Sequence, residues 1–524
     1  MINIYYGRFS HRGEKMQRIA IIDIGSNSAR LVISHIYLNG AYNMVYNQKE
    51  SLRLSQKVNK DNLLTEEAFE STIETMKSFA YMCKIYHADK TIAVATAAIR
   101  NASNGKSLVQ RVAEETGIQL HIISGNTEAY ISALGVINTL DVKNALIFDL
   151  GGGSTELILL KDRRIVDSVS LPFGAVNTTS MFNTRNEMPP NVYSDLSFFI
   201  SSRLEQYPWL KQQGLPLIGV GGTARTVTKI IQKSKKYPVN KLHNYTFSAQ
   251  TFRNYFNELR GTNLEQRKKI SGLSSERSDI ILAGSGIISC LIDLTGSKKI
   301  ITSGCGLREG LFYDYYYKAH QMPLVANNIL ERSRENILKL YSEDMVHSRH
   351  ITALALKMFD NWTKLHNLPK SARKLLETAA LLHDIGITIN FYSHARHTSY
   401  MIQNAQLFGL SHQEQLMTAA IAGWHNGVSK NYFKDRIYKE LLKAEHWDMV
   451  NKLALFLALA ESMDYSQTNQ INKINPRLEK KEACLTIYSD GIPSIELHQL
   501  KSHLLWFRKT YGINLHLELA TKAE

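Results

Sequence analysis

Residues 17–36 read QRIAIIDIGSNSARLVISHI, and residues 145–160 read ALIFDLGGGSTELILL. Each is an apolar run that meets an aspartate (Asp23, Asp149), turns through glycine and polar residues, and enters a second apolar run. Short apolar runs bounded by glycine predict buried strands on either side of a tight turn. Both copies fit apolar–Asp–Ile/Leu–Gly–x–x–Ser–x–x–Leu, and they stand a whole domain apart. This is a repeat of domains rather than of solenoid units. A third turn, Gly219-Val220-Gly221-Gly222-Thr223-Ala224, follows the apolar Leu217-Ile218. Helical patterns and further strands such as KTIAVA (90–95) alternate between these turns, which indicates α/β layers.

From about Asn327 the texture changes. Leu, Ala and His recur at helical spacing as far as about Tyr465. The breakers in QMPLVANN (321–328) mark the boundary. After Asn475-Pro476 alternation returns, with Asp490-Gly491 as a hairpin signal, a helix-like 502–510 and a strand-like 513–519. The expected divisions are an extension at 1–17, α/β domains at 18–138 and 139–320, a helical domain at 321–475 and a small α+β piece at 476–524.

The chain has 62 Lys+Arg against 47 Asp+Glu, a formal charge of +15, which favours anionic partners: nucleic acid, anionic lipid, polyphosphate or nucleotides. No nucleic-acid recognition motif accompanies the charge. With 44% hydrophobic and 21% charged residues, the chain is neither disordered nor fibrous. The four cysteines are scattered and form no CxxC, which excludes a disulfide scaffold and suits a reducing cytoplasm. No run approaches the roughly 20 apolar residues of a membrane span. Residues 1–17 lack the apolar stretch of a signal peptide and read as an extension, with Met16 as an alternative start.

Glycine turns let backbone N–H groups crowd around phosphate oxygens, with no Cβ in the way. Gly151, Gly152, Gly153, Ser154 and Thr155 are therefore candidate phosphate donors. Ser26, Asn27 and Ser28 stand on the facing turn, and Gly221, Gly222 and Thr223 on the third. Aspartates repel phosphate, so Asp23 and Asp149, with Glu156, make sense there through Mg²⁺ or an oriented water.

The order IDIGSNSARL, FDLGGGSTEL, GVGGTA resembles the actin/Hsp70-like (ribonuclease H-like) superfamily. More narrowly it resembles the exopolyphosphatase/guanosine pentaphosphatase (Ppx/GppA) phosphatase family. ATAAIRNASNG (95–105), HIISGNTEAYISALGV (121–136), SLPFGAVNTT (170–179), SSERSDIILAG (274–284) and TSGCGLREGLFYD (302–314) carry that narrower likeness. It implies two actin-like domains, then a helical domain and the small α+β piece. It also makes Glu128 the base that activates water, with Asp149 and Glu156 as further catalytic acids and Arg100 as a phosphate contact. Thr127 and Tyr130 depart from the family's Glu-Glu-Ala-Arg, which puts loop geometry in question and leaves the reaction type in place.

The helical half carries His350, His383-Asp384, His394, His397, His425, Glu461 and Asp464. Adjacent His and Asp ending an apolar helix are costly to bury without partners. Imidazole plus carboxylate suits a divalent metal. The pattern resembles the HD phosphohydrolase superfamily. That likeness implies ligands His350, His383, Asp384, His397, His425 and Asp464, while Ala460-Glu461 stands where the superfamily has Ala-Asp.

The expectation is therefore a Mg²⁺-dependent exopolyphosphatase that removes terminal phosphate from inorganic polyphosphate. It is expected to be a cytoplasmic homodimer with a second divalent-metal site in its helical half. Guanosine pentaphosphate hydrolysis in the same fold, an ATP-dependent kinase of the superfamily and a non-catalytic polyphosphate or alarmone sensor are the alternatives.

Overall fold

The computed structural model describes residues 16–426, 430–479 and 482–521. Most of the 1–17 extension lies outside them. The chain divides into two compact units.

The first unit, which runs to Ile329, holds two sheets. In the first sheet β1 (Gln17–Ile24), β2 (Ala29–Ile36), β3 (Tyr42–Glu50), β4 (Lys90–Ala95) and β5 (Leu120–Ile122) run in the order β3-β2-β1-β4-β5. In the second, β6 (Ala145–Leu150), β7 (Thr155–Lys161), β8 (Arg164–Leu171), β9 (Leu217–Val220), β10 (Thr246–Ser248) and β11 (Lys299–Thr302) run β10-β11-β9-β6-β7-β8. In both sheets the first three strands form an antiparallel meander, and the strand beside the first is parallel to it. The second sheet adds β10, antiparallel at its edge. The repeat read from two turns is thus a repeat of whole sheets, in a mixed α/β actin-like architecture.

Register places the acids alike. Asp23 and Asp149 are each the penultimate residue of the first strand, paired across the hairpin with Arg30 and Glu156. The interiors of β1 and β6 are buried, because each central strand is covered on both faces. One core under the second sheet gathers Phe148, Leu157, Ile231, Phe252 and Ile287. Another, under the first, gathers Ile22, Leu31, Phe79 and Leu108. Helices Gly125–Ile137 and Leu307–Ala319 cross in close contact, and a Cβ on Gly310 would lie 1.8 Å from the Ile131 carbonyl oxygen.

The second unit, from Leu330, is helical as far as Ser462 and ends in a small sheet. Strands Ile471–Leu478, Glu482–Ser489 and Asn514–Thr521 pair in that order in the sheet. Pro476, expected at a boundary, instead lies inside the edge strand, opposite Leu485. Asp490-Gly491 does not close a hairpin. It leads through Pro493 into helix Ser494–Ser502, and the antiparallel partners are instead Ile471–Leu478 and Glu482–Ser489. The sheet is tied to the helices, with Trp362 Nε1 donating to the Arg477 carbonyl at 3.0 Å. Among the described residues no helix is long and apolar enough to cross a membrane.

Candidate active site

The three glycine turns converge on one pocket of the first unit. Gly25 N–H donates to Ser28 O (3.1 Å) and Gly151 N–H to Ser154 O (3.0 Å), so the two hairpins end in the same turn. The turns face each other closely. A Cβ on Gly152 would stand 3.0 Å from Ser26 Cβ, and one on Gly153 would stand 3.0 Å from Ser26 Oγ. At Gly221, φ is +90° and a Cβ would lie 2.4 Å from Leu150 O, so the chain there requires glycine. Gly221 opens helix Gly221–Ser234, whose first residues Gly221 and Gly222 line the pocket, and a helix N-terminus favours anions. Asn27 Nδ2 is buried there without a hydrogen-bond partner, a donor free for a ligand oxygen.

Glu128 sits in the first turn of helix Gly125–Ile137, whose cap is the Ser124 side chain accepting from Thr127 N–H. It lines the pocket and is 9% exposed. Arg100 Nη1 donates to Glu128 Oε2 at 2.8 Å and to Ile123 O at 3.0 Å. Burial pushes the Glu128 carboxyl up to about 7 although Arg100 opposes the shift, and Asp149 and Asp23 add to the rise. Glu156 is also raised well above the ordinary carboxylate range, by burial and then by Glu128 and Asp149. Having Arg100 beside it, Glu128 is the member of this carboxylate pair that ionises more readily. Burial also raises Asp149, against a 2.5 Å hydrogen bond from Ser132 Oγ, and Asp23, against Arg308 and Arg30.

Of the residues expected from sequence, Asp23, Ser26, Asn27, Ser28, Glu128, Asp149, Gly151, Gly152, Ser154, Gly221 and Gly222 line the pocket. Arg100 does not; its guanidinium is engaged by Glu128. Glu156 stands behind the pocket and accepts from Ser170 Oγ at 2.8 Å. Thr155 Oγ1 donates to Phe173 O at 2.6 Å, Gly153 O accepts from Asn177, and Thr223 is packed beneath Gly284. These three serve the turns rather than the cavity.

Sequence reasoning missed four arginines. Arg30, Arg225, Arg277 and Arg308 all line the pocket. Burial, with mutual repulsion, draws Arg30 and Arg277 down to about 10 and lowers Arg225. Buried like charges are stable together only when anions offset them. The SSERSD and GLREG segments contained two of these residues. The signal for Arg30 was its position opposite Asp23 on the hairpin.

In the helical unit the structure brings together His347, His383 and Asp384, and beside them His394, His425 and Glu461. The atoms of each trio lie within 4.8 Å of one another. Two expected ligands change. His347, one turn before His350, enters the first trio, and His394, one turn before His397, enters the second. Asp464 joins neither; it accepts from His347 Nδ1 at 2.8 Å and from Asn469 N–H at 2.7 Å.

Comparison with known proteins agrees with this geometry. Residues 32–319 match the Ppx/GppA phosphatase family, and residues 329–503 match Ppx/GppA phosphatase, domain III. The bifunctional 3-dehydroquinate synthase/phosphatase of Fusobacterium nucleatum is 32% identical over 298 residues, 54% of this chain and 44% of that protein. The chain thus matches less than half the length of that curated relative. The crystal structure of the Aquifex aeolicus Ppx/GppA family member is 28% identical, with a TM-score of 0.52, over 58% of this chain and 99% of that one. An exopolyphosphatase from Cytophaga hutchinsonii, 23% identical with a TM-score of 0.53 over 59% of this chain and 100% of its own, shares the fold.

Proposed function

From the premise that the chain belongs to the Ppx/GppA phosphatase family, we propose that its pocket hydrolyses the terminal phosphate of inorganic polyphosphate. The observation that carries this reading is Glu128, a buried carboxylate raised to about 7, facing a cavity of glycine-turn amides and four arginines. Phosphoanhydride hydrolysis needs a water held in line, a group to take its proton and donors for the charge on the transferring phosphoryl. Glu128 accepts the proton of the attacking water, and Arg100 fixes the carboxylate that does so. Amides of the cavity-lining turn residues Ser26, Asn27, Ser28, Gly152, Ser154, Gly221 and Gly222, with Asn27 Nδ2, receive the phosphoryl oxygens. Arg30, Arg225, Arg277 and Arg308 hold the rest of the chain of phosphates.

Asp23 and Asp149 offer oxygen donors only, buried and raised together, a set that fits a hard cation such as Mg²⁺. Bound there, Mg²⁺ would neutralise phosphate charge and orient the terminal group. Glu156, behind the pocket, would hold a proton or support that carboxylate set.

Guanosine pentaphosphate presents the same terminal anhydride and is the second reading, favoured by the same arginines. The proposal includes a homodimer in a reducing cytoplasm. Phosphate release from long polyphosphate and from guanosine pentaphosphate, measured in parallel with Mg²⁺, tests it. Release mainly from polyphosphate supports the proposal, release mainly from the nucleotide replaces it with the second reading, and release from neither with binding intact makes the protein a sensor.

A further inference from the structure

Two segments outside the cavity hold residues that line it, and they touch each other. Residues 51–56, SLRLSQ, follow β3 of the first sheet. Leu52 and Arg53 N–H both donate to Asn27 O, at 3.2 and 3.0 Å, and Ser55 N–H donates to Ser26 O at 3.2 Å. The backbone of this segment thus carries the first glycine turn. Residues 274–279, SSERSD, fall between β10 and β11 of the second sheet and include Arg277. Arg277 lies across Gly222, where a Cβ would stand 2.0 Å from its Nη2, and it lines the cavity. Its N–H donates to Ser274 O at 3.0 Å and its carbonyl accepts from Ile280 N–H at 3.2 Å, so one short turn sets its place.

Side chains of the first sheet reach that turn. Arg53 Nη2 lies 3.4 Å from Glu276 O, and Arg53 Nη1 lies 3.7 Å from Asp279 Oδ2. Lys49, near the end of β3, pairs with the Glu276 carboxylate and holds it below the usual carboxylate range. None of these four residues lines the cavity. Asp279 is buried, and its Oδ1 has no hydrogen-bond partner. A buried carboxylate left half paired is unfavourable. Closing the 3.7 Å gap by about 1 Å gives it a charge-assisted bond of ordinary length. Arg53 also has φ +51°, left-handed backbone that residues other than glycine seldom adopt. Such a conformation persists where the surroundings over-determine it. Here they do: the Arg53 N–H is spent on one phosphate turn and its guanidinium faces the turn that carries Arg277.

We propose that Arg53 is a positioning residue, tying the Ser26–Asn27 turn of the first sheet to the Arg277 turn of the second so that both meet one phosphate chain in register. Lys49 and Glu276 reinforce the tie, and Asp279 receives Arg53 as the two sides draw together on a bound anion. Arg53 acts through Arg277 and does not touch the substrate itself. The role in turnover rests on the reading of the cavity as a phosphatase site; the tie itself is a property of the free chain.

The test pairs a measurement without substrate with one on turnover. In the full chain with no ligand, Arg53→Gln should speed hydrogen exchange at the 275–280 amides while the unfolding midpoint stays at the wild-type value. Lys49→Glu should loosen the same amides, and adding Glu276→Lys should restore them. In turnover of long polyphosphate with Mg²⁺, Arg53→Gln should raise KM about two- to fivefold, the scale of a partly exposed ion pair, with kcat unchanged. In an Arg277→Gln background the same substitution should raise KM no further, because it acts only through Arg277. Unchanged exchange at 275–280 in Arg53→Gln overturns the proposal, whatever the substrate proves to be. Additive effects on KM overturn it too, by making Arg53 a phosphate contact in its own right. A wild-type chain that releases no phosphate removes the phosphatase reading alone, and the exchange data then decide the tie.

Discussion

Replacing Arg100 by glutamine separates two roles that an arginine beside a phosphate site can play. The structure gives its guanidinium to Glu128 at 2.8 Å and to a backbone carbonyl, not to the cavity. Arg100 therefore favours the ionised form of the base, and its loss should raise the Glu128 pKa above about 7. A hydrogen bond to a charged group is worth about 1.5–3 kcal/mol, and one pKa unit is about 1.4 kcal/mol, so the rise is about 1 to 2 units. The base must be deprotonated to accept a proton, so wild-type activity should fall as pH drops through about 7. In Arg100→Gln the same limb should fall near pH 8 to 9, and at pH 7 the rate should be roughly five- to fiftyfold lower. Initial rates of phosphate release from pH 5.5 to 9.5, at saturating and limiting substrate, read the limb directly. An unmoved limb with a raised KM refutes the reasoning and makes Arg100 a phosphate contact.

Three further substitutions probe the frame. Arg308→Ala should raise KM about tenfold and flatten the dependence of KM on ionic strength, because one of the four cavity cations is gone; unchanged salt dependence contradicts the arginine cage. Gly221→Ala should cost more than about 2 kcal/mol, from its positive φ and the approach to Leu150 O, and a lower unfolding midpoint in denaturant reads that loss. Arg267 is fully buried and donates to the carbonyls of Ser278, Asn186, Thr262 and Arg185. Arg267→Met should destabilise by about 3 to 5 kcal/mol, because those carbonyls lose their donors, and native stability in Arg267→Met contradicts it.

The two hairpins were legible because a strand, an acid and a glycine turn are local, and the repeat announced the sheets before any contact was known. The arginine cage was not. Residues 30, 225, 277 and 308 come from four separate segments, and a single guanidinium in sequence resembles any surface cation. The histidines of the cluster were half legible. On helix Met345–Asn361 the buried stripe runs through 347, 348, 351, 354, 355 and 358, and His350 falls off it. On helix His394–Asn404 the buried stripe is 395, 398, 399 and 402, which has His394 on its edge and His397 outside it. Extending each apolar stripe back one turn would have chosen His347 and His394. Asp490-Gly491 misled because a turn dipeptide fixes a reversal and leaves the next element open, and Pro493 begins a helix there.

The central claim is that Glu128 activates the water while other groups bind the phosphates. The most direct measurement is Glu128→Gln assayed twice, for phosphate release from polyphosphate with Mg²⁺ and for polyphosphate affinity by calorimetry. The account predicts release reduced at least about a thousandfold, with affinity within a few-fold of wild type. Substantial remaining turnover, or affinity lost in step with turnover in a folded variant, would contradict it.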